Sequence, residues 1–66
     1  MEKTYRIEGM HCGHCVAAVE REVSAVAGVE RVAVDLATRT ATVAGRAFTD
    51  ADVAAAVDEA GYQVVG

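Results

Sequence analysis

The sequence predicts a single α+β domain in which a four-stranded antiparallel sheet carries two helices on one face. This fold class follows from the length of 66 residues, from two segments with helical periodicity, and from several segments that alternate apolar and polar residues as strands do. A chain this short has room for one core between two layers of secondary structure. We therefore expect residues 1–66 to form one domain, and the initial Met1 leads us to expect a complete protein.

The first strand and the first helix lie on either side of a short loop. Tyr5 and Ile7 alternate with polar residues, as in a half-buried strand, and Gly9 interrupts the alternation. From Cys15 onward, valines recur at intervals of three and four residues on one face of the segment, with charged residues on the other. This pattern predicts an amphipathic helix of about three turns. We expect it to end at Ala27–Gly28, because glycine tolerates the left-handed conformation common at helix ends.

A hairpin follows the first helix. Apolar and other residues alternate over residues 31–36 and again over residues 40–44, which is the two-residue period of strands. The intervening residues 37–39 are typical of a turn. Two strands so close in sequence are expected to pair as an antiparallel hairpin.

The second helix has the clearest start signal in the chain. Thr49 is placed to cap it, and Asp52, three residues later, can act as the carboxylate of a capping box. Phe48 and Val53 flank these residues as a hydrophobic staple. We expect this helix to end at Gly61.

A last short strand at residues 62–65 completes the order strand, helix, strand, strand, helix, strand. This order contains two strand–helix units, and each helix has one apolar face to bury. A ferredoxin-like βαββαβ sandwich buries both faces against one sheet. An alanine-rich helical bundle conflicts with the clear two-residue alternation of the strand segments.

Composition and charge exclude several classes of function. The net charge is −4 and the six Lys and Arg residues are scattered, whereas nucleic-acid binding needs a concentrated basic face. No apolar run is long enough for a membrane helix, and no segment has the features of a secretion signal. We therefore expect a cytoplasmic protein with no direct membrane insertion, whose acidic surface favours a basic protein partner.

The loop from Met10 to His14 and the following Cys15 hold the reactive side chains of the chain. Cys12 and Cys15 are three residues apart where the loop meets a helix N-terminus, and the N–H groups and dipole of that terminus favour anions. The pKa of a thiol falls at such a position, and the thiolate is the form that binds metal. Two soft thiolates without further assured ligands suit Cu(I), which accepts low coordination numbers.

Two other interpretations of the cysteine pair are less consistent with the sequence. A closed structural zinc site needs four ligands, and adjacent residues such as His11 and His14 point in diverging directions, while no second ligand pair occurs elsewhere. A thiol oxidoreductase of the thioredoxin type needs a longer chain and a proline opposite its cysteines. This chain contains no proline.

The pattern Gly9-Met10-x-Cys12-x-x-Cys15, the order of elements and Gly61-Tyr62 together resemble the heavy-metal-associated domain family. This family includes cytoplasmic copper chaperones and the N-terminal domains of metal-transporting P-type ATPases, and the resemblance covers essentially the whole chain. It implies that Cys12 and Cys15 ligate Cu(I), and that the protein is a carrier rather than an enzyme.

The resemblance also implies roles for the residues around the cysteines. Met10 is expected to be a buried anchor under the loop, Tyr62 to lie close to the metal, and Gly13 to let the loop turn tightly. His11 and His14 are either solvated loop residues or pH-sensitive neighbours of the thiolates, with weak ligation in a multi-metal dimer as a further alternative. His11 stands where zinc-transporting relatives often have an acidic residue, which favours copper.

The leading hypothesis is a copper chaperone that passes Cu(I) to the metal-binding domain of a copper-transporting P-type ATPase, with a copper-sensing repressor as another candidate partner. The alternatives are the N-terminal domain of such an ATPase, or a carrier of Zn(II), Hg(II) or Cd(II). Binding of Zn(II) or Hg(II) in vitro is compatible with each of them. We expect a monomer without metal and consider a copper-bridged dimer a testable hypothesis.

Overall fold

In a computed structural model, the protein is described over residues 1–65, and its elements follow the predicted order. They are β1 (Glu2–Glu8), α1 (Gly13–Ser24), β2 (Val29–Asp35), β3 (Thr40–Gly45), α2 (Asp50–Glu59) and β4 (Gln63–Val64). The strand order in the sheet is β2-β3-β1-β4, and every neighbouring pair is antiparallel. Because α1 packs on both β2 and α2, the two helices cover the same face of the sheet. The predicted ferredoxin-like sandwich is confirmed.

The core lies between the helices and the sheet and consists largely of small and medium apolar side chains. Val19 and Val23 on α1 share one buried cluster with Val53 and Val57 on α2, and all four are fully shielded from solvent. Burying a side chain of this kind contributes about 1.5–3 kcal/mol, so the cluster holds the layers together. Its other members are Tyr5, Ile7, Met10, Cys15, Ala41, Val43, Phe48 and Ala56.

The predicted end of α1 is wrong by about one turn. The helix ends at Ser24 with Ala25 as its C-cap, and Gly28 belongs to the turn that leads into β2. Gly28 has a left-handed φ of 91°, and a Cβ there would overlap the carbonyl oxygen of Arg46. The Arg46 N–H donates to the Gly28 carbonyl at 2.7 Å. A close approach to a distant strand end, rather than a helix stop, therefore requires this glycine.

The turn between β2 and β3 lies at the predicted residues 37–39. The Asp35 carboxylate accepts hydrogen bonds from the N–H groups of Ala37 (2.9 Å) and Thr38 (3.4 Å). Arg39 then adopts a left-handed conformation with φ 58°. A side chain that bonds to its own backbone a few residues on stabilises such turns.

The two edges of the sheet are formed by β2 and β4. The pairing of β2 with β3 is irregular between Val29 and Arg31, where Glu30 makes a bulge. At the other edge, β4 spans only Gln63–Val64, shorter than the predicted residues 62–65. The sheet therefore has one irregular edge and one very short edge.

The predicted cap at the start of α2 is confirmed, whereas the described residues show no return hydrogen bond from the Thr49 N–H to the Asp52 carboxylate, so the predicted capping box is only half formed. Thr49 is the N-cap, and its hydroxyl accepts a hydrogen bond from the Asp52 N–H at 3.1 Å. Phe48 and Val53, the expected staple, are both buried. The acidic side chains of Asp50 and Asp52 lie in the first turn, where they interact favourably with the positive end of the helix dipole.

The end of α2 is a Schellman motif at the predicted Gly61. The Gly61 N–H donates to the Asp58 carbonyl at 2.9 Å, and the Tyr62 N–H donates to the Val57 carbonyl at 3.1 Å. Gly61 has a left-handed φ of 94°. This turn brings Tyr62 back towards the start of α1. Within residues 1–65, no helix is both long enough and apolar enough to cross a membrane.

A hydrogen-bonded group joins β1 to the first turn of α2. The buried Tyr5 hydroxyl donates to Asp50 Oδ1 at 2.7 Å, and Lys3 Nζ contacts the same oxygen at 3.0 Å. Burial, followed by the bond to Asp50, raises the pKa of Tyr5 to about 12. The bond from Tyr5 and the neighbouring Lys3 lower the pKa of Asp50. The group connects the sheet to the helix layer.

Candidate metal centre

The two cysteines lie where the loop after β1 enters α1. The sequence predicts a loop that extends to His14, but α1 begins at Gly13, so His14 and Cys15 lie in its first turn. Cys12 is the N-cap in an extended conformation. Its carbonyl accepts hydrogen bonds from the N–H groups of Cys15 (3.0 Å) and Val16 (3.3 Å). The helix begins here because these bonds already close its first turn.

The two sulfur atoms are close enough to share one ion. The Sγ atoms of Cys12 and Cys15 are 3.6 Å apart, and both thiols are free. Metal–thiolate bonds of about 2.3 Å allow two sulfurs on opposite sides of an ion to lie up to about 4.6 Å apart. A small movement of the side chains would therefore allow the two sulfurs to bind an ion in either a bent or a linear S–ion–S arrangement. Cys12 is exposed, whereas Cys15 is only 7% exposed.

The surroundings of Cys15 favour its thiolate form. The backbone N–H of His11 donates to Cys15 Sγ at 3.5 Å, and this bond is the largest cause of a pKa lowered from 9.0 to about 7. The Tyr62 hydroxyl and the backbone of Cys12 act in the same direction, while burial opposes them. Near neutral pH, a substantial share of Cys15 is therefore in the form that binds metal.

His11 and His14 lie beside the cysteines with exposed side chains. Over the part of the chain that the structure describes, no three His, Cys, Asp or Glu side chains come together in a way that could hold an ion. One protomer therefore presents two sulfurs rather than a closed site of four ligands. Ligation by either histidine in a dimer stays a prediction.

Met10 and Gly13 occupy very different environments on the two sides of Cys12. Met10 is 1% exposed and belongs to the core cluster under the loop. Gly13 lies in α1, and a Cβ built on it would meet no heavy atom within 4 Å. The turn between the sulfurs therefore imposes no steric need for glycine at this position, and the role of Met10 as an anchor stays a prediction.

Tyr62 approaches the cysteines from the other end of the chain. Its side chain is half-buried, and its ring lies against Gly9 of the loop. The neighbouring Cys15, followed by burial, raises the pKa of Tyr62, and Tyr62 helps in turn to lower the pKa of Cys15. Tyr62 thus lies at the cysteine loop, and its effect on a bound metal stays a prediction.

Two participants in the site are missing from the sequence prediction. One is the backbone N–H of His11, which no side-chain pattern could indicate. The other is Gly9, which has a left-handed φ of 101° and contacts Tyr62. In the sequence, Gly9 interrupts the strand pattern and begins the pattern that contains the two cysteines, but neither feature indicates its contact with Tyr62, which joins distant parts of the chain.

The arrangement has counterparts among known proteins. Residues 4–63 match the family described as the heavy-metal-associated domain. Copper chaperone CopZ of Enterococcus hirae is 38% identical in an alignment of 68 positions that covers 96% of this chain and 94% of that protein. The solved structure of a CopZ metallochaperone superposes with a TM-score of 0.93 at 30% identity, covering 98% of this chain and 100% of that one.

A second kind of relative is much longer. Copper-transporting ATPase 2 of Rhizobium meliloti is 48% identical in an alignment of 62 positions that covers 89% of this chain but only 7% of that protein. The chain is thus similar to a chaperone over nearly the full length of both, and to a transporter over one small segment.

Proposed function

This chain belongs to the heavy-metal-associated domain family, and we propose that it is a copper chaperone that carries Cu(I) between Cys12 and Cys15. The observation that carries the proposal is a pair of sulfurs 3.6 Å apart, one exposed and one buried, in a chain that matches a copper chaperone over 96% of its own length. The role is that of a carrier, in which metal is bound and released without a catalysed reaction.

The set of available ligands supports Cu(I) as the cargo. Zinc prefers four ligands in a closed site, and residues 1–65 contain no cluster of three or more suitable side chains. Two thiolates are soft ligands, and Cu(I) is a soft ion that accepts low coordination numbers. The lowered pKa of Cys15, about 7, reduces the competition from protons at neutral pH.

The unequal exposure of the cysteines supports transfer by ligand exchange. An incoming thiolate from a partner can approach the ion from the side of the exposed Cys12. It forms a new Cu–S bond, after which the bond to Cys12 breaks, and a second thiolate then replaces Cys15. Each bond that breaks is replaced by one that forms, and copper remains Cu(I) throughout. Cys15, buried and hydrogen-bonded, is the ligand released last.

The proposed recipient is the metal-binding domain of a copper-transporting P-type ATPase in the cytoplasm. A segment of the Rhizobium meliloti transporter is 48% identical to this chain, so such a transporter carries a domain of the same family that can present the same kind of site. The net charge of −4 favours encounter with a basic face on the recipient. A copper-sensing repressor is a second proposed recipient.

Serine variants test the site directly. Under anaerobic reducing conditions, the unmodified protein should retain one Cu(I) per monomer against a chromophoric Cu(I) chelator. Cys12→Ser and Cys15→Ser should each lose this retention, because one sulfur leaves the ion with half of its ligands. His14→Ala and His11→Ala are matched controls for changes in the loop, and we expect them to bind one Cu(I) per monomer. Unchanged retention in both serine variants would exclude the site.

The alternative that this sequence is the metal-binding domain of a larger transporter is favoured by the 48% identity to a transporter segment. The length of the protein produced by the native gene distinguishes the two. A product of about the present size supports the chaperone, and a product with membrane-spanning segments supports the domain.

A different cargo and a metal-bridged dimer are tested in solution. Competitive anaerobic loading with Cu(I), Zn(II), Hg(II) and Cd(II), followed by native mass spectrometry, compares the metals; preferential loading of a metal other than Cu(I) would refute copper as the cargo. Sedimentation with and without Cu(I) tests the dimer. An identical monomer mass in both samples would refute it.

A further inference from the structure

A surface groove separate from the cysteines lies between the two helices. It has a volume of about 340 Å³ and is lined by one face of α2, within residues 52–59, and by the end of α1, within residues 22–27. Apart from three carboxylates, the lining consists of alanines and one valine. On α1 the lining begins at Glu22, seven residues after Cys15 and so about 10 Å further along the helix axis. This interhelical groove is therefore distinct from the candidate metal centre.

One wall of the interhelical groove is a single face of α2. The residues that form it are Asp52, Ala55, Ala56 and Glu59. They occupy positions i, i+3, i+4 and i+7, which lie on the same side of a helix. The two carboxylates are about 10 Å apart along the axis, and the alanines between them leave open the space that longer side chains would fill. This wall therefore has an acidic side chain at each end and an apolar centre.

The opposite wall, at the end of α1, has a similar arrangement. Glu22, Ala25 and Val26 line it at positions i, i+3 and i+4, again on one side of the helix. Glu22 and Val26 are half-buried and Ala25 is exposed. The interhelical groove thus presents apolar surface to solvent between acidic side chains that come from both helices.

The carboxylates of the interhelical groove are not neutralised by this chain within residues 1–65. The ion pairs formed there join Lys3 to Asp50 and Arg46 to Glu30, and none of these four residues lines the groove. The lining itself contains no lysine or arginine. An apolar surface with acidic groups at its rim is complementary to long basic side chains, because their aliphatic stems lie on apolar groups while their charged ends reach the rim.

We propose that the interhelical groove is a docking surface for a helix of a partner protein that carries lysine or arginine side chains two turns apart. Basic residues at i and i+7 of such a helix match the separation of Asp52 and Glu59, and small residues between them can pack on Ala55 and Ala56. The inference goes beyond the proposed copper-carrying function, because the groove contains neither Cys12 nor Cys15 and docking needs no bound ion.

Docking is tested with a defined probe in the metal-free, reduced protein by nuclear magnetic resonance. The probe is a capped peptide of about 20 residues, rich in alanine and glutamine, which is long enough to form a helix and carries lysines at intervals of seven on one face. Titration should shift the amide resonances of Ala25, Ala55 and Ala56. The resonances of Thr4 and Thr42, whose side chains meet on the exposed face of the sheet, should stay within error.

A second peptide of the same composition, with its lysines spread around the helix, separates a fitted surface from general attraction between opposite charges. It should bind at least about threefold more weakly, because it can bring fewer lysines to the carboxylates at one time. Equal affinities of the two peptides, or shifts distributed over the whole acidic surface, would overturn the proposal.

Removal of the acidic groups tests the role of charge. The triple variant Glu22→Gln, Asp52→Asn and Glu59→Gln keeps the size of each side chain. We expect it to weaken binding of the first peptide at least about fivefold, since each exposed ion pair contributes a factor of up to about five. Unchanged affinity in this variant would refute the docking surface.

A second triple variant provides the matched control for net charge. Glu2→Gln, Glu8→Gln and Glu30→Gln remove the same number of charges from exposed positions outside the interhelical groove. This protein should bind the peptide within about twofold of the unmodified protein at physiological salt, where charges more than about 8 Å apart are largely screened. Equal losses in the two triple variants would show that the peptide responds only to net charge, and would overturn the proposal.

Ala55→Gln tests the role of the apolar centre. The longer side chain fills the interhelical groove, keeps the charge and is compatible with a helix, so binding of the peptide should weaken at least about threefold. Ala51→Gln is the control, because Ala51 is also exposed on α2 and does not line the groove. Equal binding by the two variants would refute the apolar contact. Both should still retain one Cu(I) per monomer, so that a failure of docking and a failure of the proposed copper carrying are separate results.

Discussion

At the scale of single residues, the two cysteines of the candidate metal centre have different surroundings. Cys15 is buried and accepts a hydrogen bond from the His11 N–H, whereas Cys12 is exposed and occupies the N-cap. The buried sulfur has fixed donors that favour its thiolate, and the exposed sulfur can be reached from solvent. In the proposed function, the pair thus combines one ligand suited to holding an ion with one suited to exchanging it.

The pKa of Cys15 predicts a change of stability with pH. The folded state lowers this pKa from 9.0 to about 7, so between these values the folded protein binds fewer protons than the unfolded chain. The free energy of unfolding should therefore rise from pH 7 to pH 9 and lose this contribution as the pH falls through 7. Urea titrations of the metal-free, reduced protein across this range measure it.

Cys15→Ser provides the control for this pH dependence. The variant keeps the size of the side chain and removes the titrating thiol, so its stability should rise less steeply between pH 7 and pH 9. Parallel curves for the variant and the unmodified protein would contradict the assignment of this pKa to Cys15.

At the scale of the elements, α2 is defined at both ends by its own sequence. Thr49 accepts a hydrogen bond from the Asp52 N–H at the start, and Gly61 forms the Schellman turn at the end. The end of α2 in turn sets the position of Tyr62 near the candidate metal centre. The turn at Gly61 that ends the helix therefore also determines where Tyr62 lies.

Thr49→Ala should destabilise the protein by about 1 kcal/mol, because the Asp52 N–H loses its side-chain acceptor at the helix start. Denaturant unfolding of the two proteins measures the difference. Ser24→Ala is the matched control, since Ser24 is exposed at the opposite, C-terminal end of α1. A loss of stability no larger in Thr49→Ala than in Ser24→Ala would contradict the capping role.

At the scale of the whole molecule, the bond between Tyr5 and Asp50 connects the sheet to the helix layer. Tyr5→Phe keeps the buried ring and removes the hydroxyl that donates to Asp50 at 2.7 Å. We expect a loss of about 0.5–1.5 kcal/mol in the free energy of unfolding, the usual contribution of one hydrogen bond. Thermal and urea unfolding measure it.

Asp50→Ala gives the partner variant for this bond. If the Tyr5 hydroxyl stabilises the fold through Asp50, the two substitutions together should cost less than the sum of their separate effects. Additive losses would show that the hydroxyl acts in another way.

The sequence predicts those features that depend on neighbouring residues. The alternation in residues 40–44 and the cap at Thr49 are local patterns, and the structure has the expected strand and helix start there. The end of α1 could not be predicted in this way, because the conformation of Gly28 depends on its approach to Arg46. In the candidate site, the position of the cysteines at a helix start follows from the sequence, whereas the donation from the His11 N–H to Cys15 exists only in the folded backbone.

The edges of the sheet also determine how the protein meets its own copies. An added strand needs a regular row of unpaired N–H and C=O groups. At one edge, β2 has a bulge at Glu30 and the exposed charges of Glu30 and Arg31, and at the other, Gln63–Val64 is too short to template a neighbour. Strand addition is thus disfavoured at β2 and at β4. The proposed copper-bridged dimer would therefore have to form through side chains rather than through an added strand.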